Sequence, residues 1–76
     1  MKEFIEYIVK LLVDKPKEVS VTEKAGERTI IFGLKVGDGD LGKIIGKHGQ
    51  TVTSLRMLIA AISAKQGKRT VLEIVE

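Results

Sequence analysis

The segment Ile45-Gly46-Lys47-His48-Gly49-Gln50-Thr51-Val52 sets two glycines three residues apart, between two stretches of helical periodicity. This interruption constrains the chain more than any other feature. A regular helix is poorly served across it, because glycine costs the most backbone entropy of the ordinary residues and readily takes positive φ. Before it, Leu41 to Ile45 reads as a short helix with Asp40 as its N-cap; after it, Gln50 to about Lys65 reads as a longer one ended by Gly67. Strands flank the pair. Arg28 to Val36 carries Ile30, Ile31, Phe32, Leu34 and Val36, and Arg69 to Val75 carries Val71, Leu72, Ile74 and Val75. Two strands joined through a helix pair need a crossover, so they are expected to be parallel neighbours.

The N-terminal part completes the outline. Glu3 to Val13 has Phe4, Ile5, Ile8, Val9, Leu11 and Leu12 mostly at helical spacing, and Pro16 stops it. Lys17 to Lys24 alternates Val19 and Val21 with polar residues, and the turn Ala25-Gly26-Glu27 returns the chain to the more apolar, central strand. The predicted order is α-β-β-α-α-β over one domain, residues 1–76. It implies an α+β fold, a three-stranded mixed sheet with its helices packed on one face. A chain of this length buries only about 60% of its unfolded surface, so its stability margin is thin and a deep catalytic cleft is not expected.

Composition narrows the chemistry. There is no Cys and one His, which excludes disulfides and thiolate metal sites and argues against any metal or other cofactor. Glu3 and Glu6 disturb the N-terminus as a signal peptide, and no apolar run approaches the roughly 20 residues that span a bilayer. A cytoplasmic protein without membrane contact is the expectation. The net charge is +3, and its distribution matters more than its size. After Asp40 the only acids are Glu73 and Glu76, against Lys43, Lys47, His48, Arg56, Lys65, Lys68 and Arg69. An anionic partner is drawn to that half. Lys65, Lys68 and Arg69 have an equal structural reading, as complements to the C-terminal end of the long helix.

Two glycine-rich signals compete. Gly37-Asp38-Gly39-Asp40-Leu41-Gly42-Lys43 satisfies the letters of a dinucleotide fingerprint and nearly those of a P-loop. Ile44 stands where a P-loop needs Ser or Thr, and Asp38 and Asp40 put negative charge where a phosphate must approach. This stretch reads as an Asp-capped turn, and no small-molecule substrate is expected. The second signal, Gly46 to Gly49, lets a phosphodiester approach the main chain beside the amides that open a helix. Lys47 and His48 sit at its tip, and Ile45 and Val52 offer an apolar floor for bases. Such a clamp beside an apolar groove suits a single strand. Lys43 and Arg56 on the flanking helices complete the candidate RNA-contacting set, although Lys47 and Arg56 also read as ordinary solvated charges, Arg56 equally so. An imidazole at the tip implies contact that weakens as pH rises.

These residues resemble the signature of the KH domain, Ile-Gly-x-x-Gly-x-x-Val, and the element order resembles its type II form. The resemblance is closest to the small stand-alone bacterial KH proteins of the KhpA type, through Gly42 to Gly49, Leu55-Arg56-Met57-Leu58 and Gly67-Lys68-Arg69. It implies binding of single-stranded RNA with little sequence preference, and a role as RNA chaperone or post-transcriptional regulator. It further implies a homodimer, or a heteromer with a larger KH-containing protein (KhpB, also called Jag or EloR) tied to cell-wall biogenesis and cell shape.

The long helix carries a second signal. Val52, Leu55, Leu58, Ile59 and Ile62 are expected to face the core. Met57, Ala60, Ala61 and Ala64 gather opposite, where charge is usual, and read either as helix-favouring surface alanine or as a dimer or partner face. A protein-interaction adaptor with incidental RNA contact is therefore the rival reading. An enzyme is remote: no acid–base pair, nucleophile–base pair or metal cluster is evident, though acids such as Asp38 and Asp40 exist.

Overall fold

In a computed structural model, which describes residues 1–75, the chain runs α1 (Lys2–Leu12), β1 (Ser20–Ala25), β2 (Thr29–Lys35), α2 (Leu41–Ile45), α3 (Gln50–Ala64) and β3 (Arg69–Val75). The sheet order is β1-β2-β3. β1 pairs antiparallel with β2, Val21 opposite Leu34, and β2 pairs parallel with β3, Phe32 opposite Leu72. The expected α-β-β-α-α-β order and mixed sheet are present.

One face of the sheet carries the core. Val21, Phe32, Leu34 and Leu72 are buried there against Ile5, Val9 and Val13 of α1 and its exit, Ile44 of α2, and Val52, Leu55 and Ile59 of α3. Ile5, Val9 and Val13 recur every four residues, which lays one stripe of α1 on the sheet. Phe32 sits fully buried in the middle strand, and removing a side chain of that size from water contributes about 1.5–3 kcal/mol. The other sheet face is open, with Ile31 and Val75 exposed on it.

Three local readings need correction. The strand expected from Lys17 begins only at Ser20, because Pro16–Glu18 forms a single 3-10 turn closed by the Val19 N–H on the Pro16 carbonyl at 3.3 Å. Proline at the first position of a helical turn has its φ already set. α1 ends at Leu12, and Val13 is already extended at φ −102°, ψ 160°. Leu58, expected in the core, is 47% exposed. It lies on the flank of α3 that faces α1, over a groove shared with Ile8 and Leu12. Gly67 ends α3 as expected: its N–H reaches the Ala64 carbonyl, and the Lys68 N–H reaches Ser63, a Schellman turn. No helix among the described residues is long and apolar enough to cross a membrane.

Candidate nucleic-acid interface

The glycine loop joins α2 to α3 through one 3-10 turn, Lys47–Gly49. Gly46 has φ 74° and ψ 179°, a region open in practice to glycine alone, and a Cβ there would strike the Thr51 hydroxyl and lie 2.6 Å from Thr51 Cβ. Gly49 is left-handed at φ 73°, ψ 10°, with open space around it. His48 also takes a left-handed conformation, at φ 57°, which turns its ring outward at the tip beside the exposed Lys47. The loop's own hydrogen bonds run from the Gly46 N–H to Gly42 (2.9 Å) and from the Gly49 N–H to Gly46 (3.2 Å). Among the described residues the Lys47 and His48 amides have no partner. α3 begins without a side-chain cap, so its positive end faces the loop.

Beyond the loop a groove opens between α3 and the edge strand β3. Thr53, Arg56, Met57 and Ala60 form one wall and residues 69–72 the other. Arg56 crosses it: Nε and one terminal nitrogen donate to the Leu72 carbonyl at 3.3 and 3.1 Å. A backbone oxygen on the open edge of β3 thus gains a cationic partner. The hydroxyl of Thr70, on the same wall, is buried and unpartnered among the described residues. The β3 wall was invisible in the sequence, since nothing in Arg69-Thr70-Val71-Leu72 announces which strand edge α3 overlies.

The other candidate residues are placed less uniformly. Ile45 is 39% exposed beside the loop, whereas Val52 is buried in the core. Val52 supports any floor from beneath instead of forming its surface. Lys43 faces away from the tip, with its ammonium hydrogen-bonded to Asp14 and 3.8 Å from Asp40. The bond to Asp14 raises the Lys43 pKa above its ordinary value, so the group stays cationic. A phosphate at Lys43 would have to compete with two carboxylates. Met57, Ala60, Ala61 and Ala64 are all exposed on α3, and Met57 and Ala60 also border the groove.

Asp40 departs furthest from expectation. It occupies the N-cap position of α2 yet makes no capping bond. Its carboxylate is buried and accepts the Asp14 N–H at 3.2 Å and the Lys15 N–H at 2.9 Å. It ties α2 to the exit of α1. Of the glycines around it, Gly39 takes a positive φ, and Gly37 leaves room for the Glu18 carboxylate and the Lys15 stem.

Comparison with known proteins places the sequence in a family. The family model "KhpA/KhpB, KH domain" matches residues 2–74. Curated relatives include the RNA-binding protein KhpA of Chlamydia trachomatis, 50% identical over 100% of this chain and 97% of its own length. The Clostridium perfringens protein of the same name is 47% identical over 99% of this chain and 100% of its own, and that of Aquifex aeolicus 46% identical over 100% and 96%. No solved structure gives a significant match. With a family model spanning nearly the whole chain and relatives matched end to end, the chain belongs to the KhpA/KhpB family of KH domains.

Proposed function

We propose that this protein binds single-stranded RNA without transforming it, gripping the sugar–phosphate backbone at Gly46–Gly49 and laying bases in the groove between α3 and β3. The observation that carries this reading is the construction of the loop. Two glycines at positive φ hold Lys47 and His48 outward, leave two amides unengaged, and lead directly into the positive end of a 15-residue helix. An anionic backbone is stabilised by each of these features. The name carried by the relatives, RNA-binding protein KhpA, supports the same ligand class.

About four nucleotides fit such a clamp and groove, and only unpaired bases can lie against it. Of the three aromatic residues, Phe32 is buried and neither Phe4 nor Tyr7 lines the groove. Bases therefore rest on Met57 and Ala60 and on the Arg56 guanidinium, contacts that discriminate weakly between sequences. Weak discrimination suits an RNA chaperone or post-transcriptional regulator, and the proposal places the protein in the cytoplasm with its RNA. Titration of the labelled protein with a short oligouridine tests it. The amide signals of Gly46 to Gly49 and of Arg56 and Thr70 should move, while those of Ile31 and Val75 on the open sheet face should not. Binding that leaves the loop amides unmoved would end the proposal.

A second reading is favoured by the outer side of α3, where Met57 is 68% exposed and Ala60, Ala61 and Ala64 leave room for close approach. A second KH chain sits there in this reading, either another copy or a larger KhpB-type protein, and the RNA contact is incidental. Met57→Glu with Ala61→Glu should convert a dimer into a folded monomer by light scattering. A mass unchanged from that of the parent dimer counts against it.

A further inference from the structure

We infer that Asp40 is a positioning residue for the glycine loop: its buried carboxylate fixes the start of α2 against the exit of α1, and through that one-turn helix it sets the attitude of Gly46 to Gly49. The inference rests on the reading of that loop as the RNA clamp only for its effect on affinity; the structural part stands without it.

α2 has five residues, too few to hold its own shape in water. Its position must come from its anchors. At its far end the Gly46 N–H bonds back to Gly42, so the loop begins rigidly on the last turn of α2. In its middle Ile44 is buried in the core. At its near end the anchor is Asp40, whose backbone carbonyl receives the Lys43 and Ile44 N–H groups while its side chain receives those of Asp14 and Lys15. One residue thus starts the helix and pins it to a different element 25 residues away in sequence. The pin is braced twice more. Lys15 Nζ donates to the Asp38 carbonyl at 2.9 Å, and Lys43 bridges Asp14 and Asp40.

The chemistry of the carboxylate is specific to this task. Two main-chain N–H donors, one on each oxygen, need two acceptors, and a carboxylate supplies both. An amide supplies one oxygen and turns an NH₂ toward the other donor. Asp40 is 2% exposed, so an NH₂ turned toward a main-chain donor is held against it, and the α1 exit and the start of α2 are pushed apart. A rotation there is carried along α2 to Gly46, which the 2.9 Å bond from its N–H to the Gly42 carbonyl ties to that helix.

The test is Asp40→Asn in the intact chain, with Val21→Ala as a control that weakens the core on β1, away from the loop. Two readouts are taken below both melting points: amide shifts of Gly46 to Gly49 without RNA, and affinity for a short oligouridine. Asp40→Asn should move the loop amides and weaken binding about ten-fold, and Val21→Ala should do neither. Asp40→Glu, which keeps both acceptors but lengthens the pin by one methylene, should also shift the loop, and it carries the test if the Asn variant does not fold. Loop amides at wild-type positions in the Asp40 variants overturn the inference, as does an equal disturbance by Val21→Ala. Because the RNA-free shifts decide it alone, an oligouridine that binds elsewhere would refute the clamp and leave this inference to be judged on those shifts.

Discussion

A chain carrying Lys47→Asp and His48→Asp should lose at least about a hundred-fold in affinity for short single-stranded RNA while its far-UV circular dichroism stays unchanged. The change replaces the Lys47 ammonium and the His48 imidazole with two carboxylates, a swing of at least three charges at the point of closest approach to phosphate. A unit charge pair at about 4 Å in water is worth about 1 kcal/mol, so three units give about 3 kcal/mol, or roughly a hundred-fold. The fold should not notice. Both side chains are exposed and neither joins an ion pair among the described residues. At position 48 the backbone is left-handed, and aspartate is among the few side chains that tolerate that region. Fluorescence anisotropy across a salt series checks the mechanism as well as the magnitude. The slope of log affinity against log salt should fall by about 0.7 for each phosphate that the loop no longer neutralises. Retained affinity with an unchanged slope would mean the loop does not meet the backbone.

The same residues show what a sequence reading can and cannot reach. Alternation in Val19 to Val21 and the apolar run from Ile30 to Val36 announced the hairpin, and two strands around a helix pair implied the parallel partner, because chain geometry leaves few alternatives. Gly46 and Gly49 announced the loop, since a pair of glycines between helical segments has few other uses. The errors arise where tertiary contacts decide between options that are locally equal. An Asp before a short helix reads as its N-cap, but the α1 exit brings two N–H groups to the carboxylate of Asp40, and the longer-range bonds win. Leu58 has core spacing on α3, yet the flank it occupies overlooks α1 and stays open. Lys43 belongs by charge with Lys47, but by position it serves Asp14 and Asp40. The groove wall on β3 depends on which edge of the sheet α3 crosses, and no local pattern encodes that.

Gly46→Ala should destroy the site, whereas Gly49→Ala should leave it working, although the two glycines look equivalent in the motif. At Gly46 the backbone lies at φ 74°, ψ 179°, where any Cβ carries about 1–3 kcal/mol of strain. The added methyl also meets the Thr51 hydroxyl, with the Thr51 Cβ at 2.6 Å and its backbone nitrogen at 3.0 Å. Overpacking of this kind adds about 1–3 kcal/mol. Removing the Thr51 side chain cannot fully relieve it, because the main-chain nitrogen at the start of α3 remains. The expected loss is roughly 3–5 kcal/mol, much of the stability of a domain this small. Gly49 sits at φ 73°, ψ 10°, a left-handed conformation that costs an ordinary residue about 1–2 kcal/mol, and nothing lies within 4 Å of its added Cβ. Denaturant unfolding of the two single variants should therefore separate them by about 1–4 kcal/mol, with RNA binding lost in the first and kept within a few-fold in the second. Equal destabilisation would mean the loop relaxes freely around Gly46, and then neither the pin at Asp40 nor the start of α3 could be holding it in place.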